Sequence, residues 1–247
     1  MAKQRVEDVK PYDSTRRKSE QVEQMFDSIA PAYDFMNRAM TLGIDRLWRS
    51  KAVRSLARRS PAAILDIATG TGDLAILLAR AIPAATVTGI DLSAGMVEIG
   101  RRKVADAGLA GRVTLTTGDC LALPFADATF DCVTVAYGVR NFADIAAGYR
   151  EMLRVLRPGG TLCVIELATP VNPLVKPLYH VYTRGIIPAL GRLVSRDSRA
   201  YTYLPQSIAA VPQREAMCAI MRSEGFTDCR CRPLTFGVCC IYTALKP

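Results

Sequence analysis

From residue 63 onward, short runs of aliphatic and β-branched residues alternate with longer stretches whose apolar positions recur every three to four residues. The short runs read as buried strands and the longer stretches as crossover helices joining parallel strands. The pattern predicts strands over 63–68, 86–91, 112–117, 130–136, 161–167, 228–235 and 238–244, and helices over 73–81, 93–106, 143–156 and 206–224. Ser93 suits an N-cap, and the RPGG at residues 157–160 reads as a turn that ends a helix. Only Phe236 and Gly237 separate the last two strands, too little for a crossover, so those strands should pair antiparallel. The expected architecture is an α/β fold with a seven-stranded, mostly parallel sheet and a C-terminal antiparallel hairpin.

Before this alternation, residues 1–60 form a helical preface: Val22, Met25, Phe26 and Ile29, then Leu42, Leu47, Val53 and Leu56, recur at helical intervals broken by Pro31 and Gly43. Residues 169–205, rich in Pro, Arg and Tyr, are too long for a plain connection and read as a lid inserted between strand and helix. The 247 residues are expected to form one domain, 1–247.

Half of the residues are hydrophobic and 22% are charged, as in soluble globular proteins. No apolar run is long enough to span a bilayer, the N-terminus lacks a signal-peptide core, and Glu7, Asp8 and Asp13 argue against a mitochondrial presequence, so a cytoplasmic protein is expected. The eight cysteines read as reduced, mostly buried thiols, and the single histidine, His180, completes no zinc set with Cys229 and Cys231. No metal is expected. A net charge of +9 raises the question of nucleic acid, but no basic strand face interleaved with aromatics accompanies it, so none is expected.

The chemistry-bearing stretch is LDIATGTGD, residues 65–73, where Gly70 and Gly72 follow a buried strand and open a helix. Bare backbone there can close on a ligand that a β-carbon would hold off. Gly70-x-Gly72-x-x-Ala75, with Asp91 about 20 residues on, also fits a dinucleotide fingerprint, which makes an NAD-dependent dehydrogenase the competing reading. Against it, the Asp73 carboxylate at the helix start would repel a pyrophosphate, whereas S-adenosylmethionine lacks phosphate and carries an ammonium and a sulfonium. Asp119 can accept from the adenine amine while the Cys120 amide serves a ring nitrogen. Asp66, Asp91 and Asp119 thus end or flank three successive strands at the ligand-binding edge. Each acid alone also suits a local role, Asp73 and Asp91 at helix starts and Asp119 in a turn.

The segments MFDSIAPAYDFMN (25–37), LGIDRLWR (42–49), DIATGTGDLA (66–75), GVRNFAD (138–144), EMLRVLRPGG (151–160) and YTYLPQSI (201–208) resemble the ubiquinone/menaquinone biosynthesis C-methyltransferase family over nearly the whole chain. The resemblance implies a class I S-adenosylmethionine-dependent methyltransferase (Rossmann-like) fold. It further implies methyl transfer to a ring carbon of a polyprenylated quinol, preferably demethylmenaquinol, with a benzoquinol of ubiquinone biosynthesis as the alternative. By position it assigns Thr71, Asp91, Asp119 and Cys120 to the cofactor and Gly70 and Gly72 to the turn around it. Members often carry glycine at position 68 or 69 and serine at 136; this chain has Ala68, Thr69 and Ala136.

Carbon methylation needs an electron-rich ring, so the quinol rather than the quinone is the expected substrate. Arg140 and Asn141, after the fourth strand, are candidates to orient a quinol oxygen, with Arg140 stabilising a phenolate rather than acting as a base. Tyr201 and Tyr203 could hydrogen-bond or stack on the ring. In the insertion, Lys176, Arg184, Arg192, Arg196 and Arg199 face one acid, Asp197, and lie among Leu174, Leu178, Ile186, Ile187 and Leu190. This mixture suits transient contact with anionic lipid at the inner face of the membrane, where a polyprenyl tail would hold the substrate. A homodimer is left open.

Overall fold

Along β1 (Ala63–Ile67), Ile64 and Leu65 are both fully buried but serve different cores, because successive side chains point to opposite faces of the sheet. The same holds for Cys132 and Val133 in β4 (Phe130–Ala136) and for Cys163 and Val164 in β5 (Leu156–Leu167). Burial on both faces is what turns these strands into continuous apolar runs. The computed structural model describes residues 5–13, 15–186 and 198–247.

The seven strands lie in the order β3-β2-β1-β4-β5-β7-β6, with β2 (Thr86–Asp91), β3 (Val113–Thr117), β6 (Thr227–Leu234) and β7 (Cys239–Leu245). The first five pair in parallel, and β7 runs antiparallel between β5 and β6. The chain winds outward from β1 to β3 and then returns to the other side of β1 for β4, so the carboxyl ends of β1 and β4 form a topological switch point.

Helices α3 (Ile44–Ala57), α4 (Asp73–Ala81) and α5 (Ala94–Asp106) cover one face; α6 (Ile145–Val155) and α9 (Glu215–Ser223) cover the other. Ser93 caps α5 by accepting from the Met96 amide, and Asp144 caps α6 by accepting from the Ala147 amide. The preface comprises α1 (Lys18–Ile29), α2 (Tyr33–Thr41) and α3, divided at Pro31 and again where Leu42 and Gly43 are both left-handed. A third cluster, including Met25, Met36, Met96, Tyr201 and Tyr203, packs α1 and α2 against α5 and α8 (Ser198–Ala210) over the carboxyl edge of the sheet.

Three boundaries differ from the sequence pattern. The expected helix 206–224 is two helices, since Pro212 offers no amide and Arg214 adopts φ +55°, while α8 starts at Ser198 and runs through Pro205. The RPGG segment is not a helix-ending turn but part of β5: Leu156 pairs with Phe130, the register then shifts, and Thr161 pairs with Cys132. The hairpin connection is the longer turn Thr235–Gly237 followed by Val238, with Phe236 at φ +54°. In the insertion, α7 (Val175–Val181) leads into a π-helical turn, Tyr182–Ile186; Ile187, Leu190, Arg192, Arg196 and Asp197 lie outside the described residues.

Candidate active site

β1 ends in a run of unusual backbone: Ala68, Gly70 and Gly72 have φ of +51°, +55° and +77°. At Gly70 this conformation aims the amide at β2, where it donates to Asp91 Oδ2 at 2.8 Å. Asp91 Oδ1 accepts from the Ser93 amide at 2.9 Å, so the carboxylate is fixed while each oxygen keeps acceptor capacity. Burial raises the Asp91 carboxyl above its ordinary pKa, and the two amides counter it. Asp119, two residues beyond β3, is fixed by the Leu121 amide at 2.9 Å. At Gly138 the demand is space: a β-carbon would fall 2.5 Å from Ala68 Cβ, so glycine lets the ends of β1 and β4 meet.

These residues surround a cavity, with Gly70, Asp91, Asp119, Cys120 and Asn141 in its walls and Val22 and Phe26 of α1 across its top. Burial pushes the Cys120 thiol far up, so it remains protonated. A second, larger and mostly apolar cavity of about 380 Å³ opens between α2, α3, α7, α8 and the β6–β7 turn. Tyr33 and Tyr137 belong to the walls of both cavities. The consecutive residues Arg140 and Asn141 divide between them, Asn141 lining the first and Arg140 the second.

Arg140 is held by a buried carboxylate that sequence reasoning missed. Glu166, 1% exposed, accepts from Arg140 Nη1 at 2.9 Å and from the Arg140 amide at 3.1 Å. Arg140 Nη1 also donates to the Tyr137 carbonyl. The signal was a lone acid in an otherwise apolar buried strand, which must find a cation. Lys18 on α1, also buried, donates to the Arg140 and Val6 carbonyls, and burial lowers its ammonium to about 8. Tyr203 Oη donates to Asn141 Oδ1 at 3.1 Å.

Other candidates sit elsewhere. Asp66, 1% exposed, accepts from Thr69 Oγ1 (2.7 Å) and Thr134 Oγ1 (2.6 Å); it braces the glycine turn from below and is not in the cavity wall. Thr71 donates to Asp34 at 2.6 Å and accepts from Lys103 at 3.0 Å, away from the cavity, and Gly72 abuts Leu115. Tyr201, 3% exposed, lies in the methionine-rich cluster and lines neither cavity.

Asp73 corrects the electrostatic expectation. Its carboxylate meets Lys103 at 2.6 Å and Arg49 at 3.1 Å; Lys103 also reaches Asp34 at 2.5 Å, and Arg49 reaches Asp45. Burial raises the Asp73 carboxyl, but the Lys103 hydrogen bond and the Arg49 charge outweigh it and hold the group below its ordinary pKa. Its charge is thus engaged in tying α2 and α3 to the glycine turn, and the acids in the first cavity wall are Asp91, Asp119 and the exposed Glu23 of α1.

A parallel sheet closed by an antiparallel strand between β5 and β6, with its cavity at the β1/β4 switch point, defines the class I methyltransferase fold and not the dinucleotide-binding dehydrogenase fold. Solved structures agree on the fold: the S-adenosylmethionine-dependent methyltransferase SibL aligns with a TM-score of 0.59 at 22% identity, covering 83% of this chain and 57% of its own. The [4+2]-cyclase SpnF aligns with a TM-score of 0.58 at 22% identity, covering 93% and 97%. Residues 14–246 match the ubiE/COQ5 methyltransferase family, and the chain belongs to that family. It is 48% identical over 240 residues to the demethylmenaquinone methyltransferase of Bacteroides fragilis, covering 97% of this chain and 98% of that protein. It is 45% identical over 230 residues to the ubiquinone/menaquinone biosynthesis C-methyltransferase UbiE of Geobacter sulfurreducens, covering 93% and 90%.

Proposed function

We infer that this methyltransferase takes its methyl group from S-adenosylmethionine and places it on a ring carbon of demethylmenaquinol, giving menaquinol. One observation carries the reading: a cavity with two fixed carboxylates meets a larger apolar cavity at a wall made of Tyr33 and Tyr137. The first has the chemistry of a nucleoside site. Asp91 keeps free lone pairs for ribose hydroxyls, Asp119 can accept from the adenine amine, and Gly70 leaves backbone exposed beside them. When bound, S-adenosylmethionine supplies an electrophilic methyl on a sulfonium.

The second cavity has the size and lining for a fused aromatic ring carrying the start of an aliphatic tail. A quinol that loses a hydroxyl proton places charge on the neighbouring ring carbon, the nucleophile that carbon methylation requires. The Arg140 guanidinium, buried in this wall, favours that phenolate by its charge, although Glu166 tempers it. Asn141, oriented by Tyr203, stands on the opposite side of the same turn. Holding the ring carbon against the methyl donor is what this arrangement contributes, so positioning supplies most of the rate.

The mouth of the second cavity supports a substrate drawn from a bilayer. Leu42, Leu178 and Phe236 line it and are 80%, 72% and 73% exposed. Arg38, Arg46 and Lys176 are exposed on the elements that form this mouth. The acids of α2 and α3, Asp34 and Asp45, are ion-paired inward to Lys103 and Arg49. Apolar residues beside cations suit an anionic interface. Among the described residues, no helix is long and apolar enough to cross a membrane.

The test is a transfer assay with labelled methyl donor, offering demethylmenaquinol and the corresponding demethylated benzoquinol, each reduced and oxidised. Label in reduced naphthoquinol is expected. Label in neither reduced ring, or calorimetry that finds NAD bound and S-adenosylhomocysteine unbound, overturns the reading.

A further inference from the structure

Tyr137 follows β4 with φ +60°, a conformation that a bulky side chain rarely adopts and that persists where the surroundings enforce it. Its carbonyl is fixed by Arg140 Nη1, and Gly138 lets the chain turn beneath it. The ring packs edge-on to Trp48, with centroids 6.5 Å apart, and Arg49 lies 5.9 Å from its centroid. Trp48 and Arg49 line the second cavity and not the first, so the phenol leans from the shared wall toward the apolar side. There its Oη is buried and has no hydrogen-bond partner among the described residues. Such hydroxyls are normally satisfied. Burial also raises the phenol well above its ordinary pKa, so it keeps its proton and can donate.

We propose that Tyr137 Oη donates a hydrogen bond to the quinol oxygen adjacent to the ring carbon that is methylated, making Tyr137 a catalytic residue of this enzyme. The assignment rests on the quinol reading of the second cavity. Where the two cavities meet, the reacting carbon must face the methyl donor, which puts its neighbouring oxygen against the shared wall. A donor there favours the ionised oxygen over the neutral one and holds the ring in line. Arg140 supplies charge, whereas Tyr137 supplies a directed bond, and the two are fixed to each other through the backbone.

Tyr137→Phe removes this one atom. Because Oη has no internal partner, the variant should match or exceed the wild-type Tm, and its affinity for S-adenosylhomocysteine should stay within about twofold. Its kcat/KM for the reduced quinol should fall roughly tenfold or more, and the acid limb of its pH profile should move about one unit upward. Unchanged kcat/KM and pH limb would overturn the proposal, as would a lowered Tm, which would mean that the hydroxyl is bonded within the fold. A wild-type protein that methylates neither quinol removes the substrate reading, and the proposal with it.

Discussion

Glu166 Oε1 lies 2.9 Å from Arg140 Nη1, and this pair, 1% and 8% exposed at its side chains, fastens the turn that divides the two cavities. Removing one partner strands a charge inside the protein. Glu166→Gln should therefore cost about 3–5 kcal/mol in denaturant unfolding, while the double variant Glu166→Gln/Arg140→Met should recover much of that loss. A single variant as stable as wild type would show the pair to be dispensable.

Asp91 joins the glycine turn to the start of α5 through the Gly70 and Ser93 amides, and it is also the carboxylate proposed for ribose. Asp91→Asn weakens charge-assisted bonds of about 1.5–3 kcal/mol, so S-adenosylhomocysteine affinity should fall roughly ten- to hundredfold by calorimetry. Asp73→Asn, at a carboxylate outside the cavity, should change it much less.

Asp66 titrates at about 6 instead of 3.8 because burial disfavours its charge. The folded protein thus holds this proton more tightly than the unfolded chain does. Its contribution is fully present below pH ~4 and is lost as pH rises through 6, a decline of about 3 kcal/mol at most. Asp66→Asn should equal wild type near pH 4 and exceed it above pH 6, read as the difference between their unfolding free energies. A gap that does not change with pH would show that Asp66 is not the group responsible.

Leu178 and Phe236 stand on either side of the second cavity's mouth. Leu178→Asp with Phe236→Asp should reduce sedimentation with anionic vesicles by more than about tenfold, since each buried apolar side chain contributes roughly 1.5–3 kcal/mol. Methyl transfer to a short-tailed, water-soluble quinol should be retained. Equal retention on neutral and anionic vesicles would remove the role given to the surrounding cations.

The strands were legible because a sheet buried on both faces leaves unbroken aliphatic runs, and the helix starts because Ser93 is a side-chain cap. Proline misled: Pro205 looked like a boundary, but Tyr201, Tyr203 and Ile208 on its two sides are buried and hold α8 together across it. At the site, Asp66 and Asp91 look alike in sequence. Their difference comes from the sheet, where Asp66 lies opposite Thr134 and its hydroxyl while Asp91 ends its strand beside the turn. Asp73 reads as a ligand-facing acid until Arg49 and Lys103 arrive from helices 24 and 30 residues away. The Tyr33–Tyr137 wall was invisible for the same reason, since it joins the preface to β4 across the whole glycine turn.

The position of β7 also governs how the molecule can be made. β7 comes after every other strand of this sheet in the chain, yet it is an inner one, flanked by β5 and β6. Until it emerges, β5 presents an unzipped edge rich in valine and isoleucine, and β6 has nowhere to dock. Nascent chains stalled before Cys239 should therefore be the aggregation-prone species during synthesis.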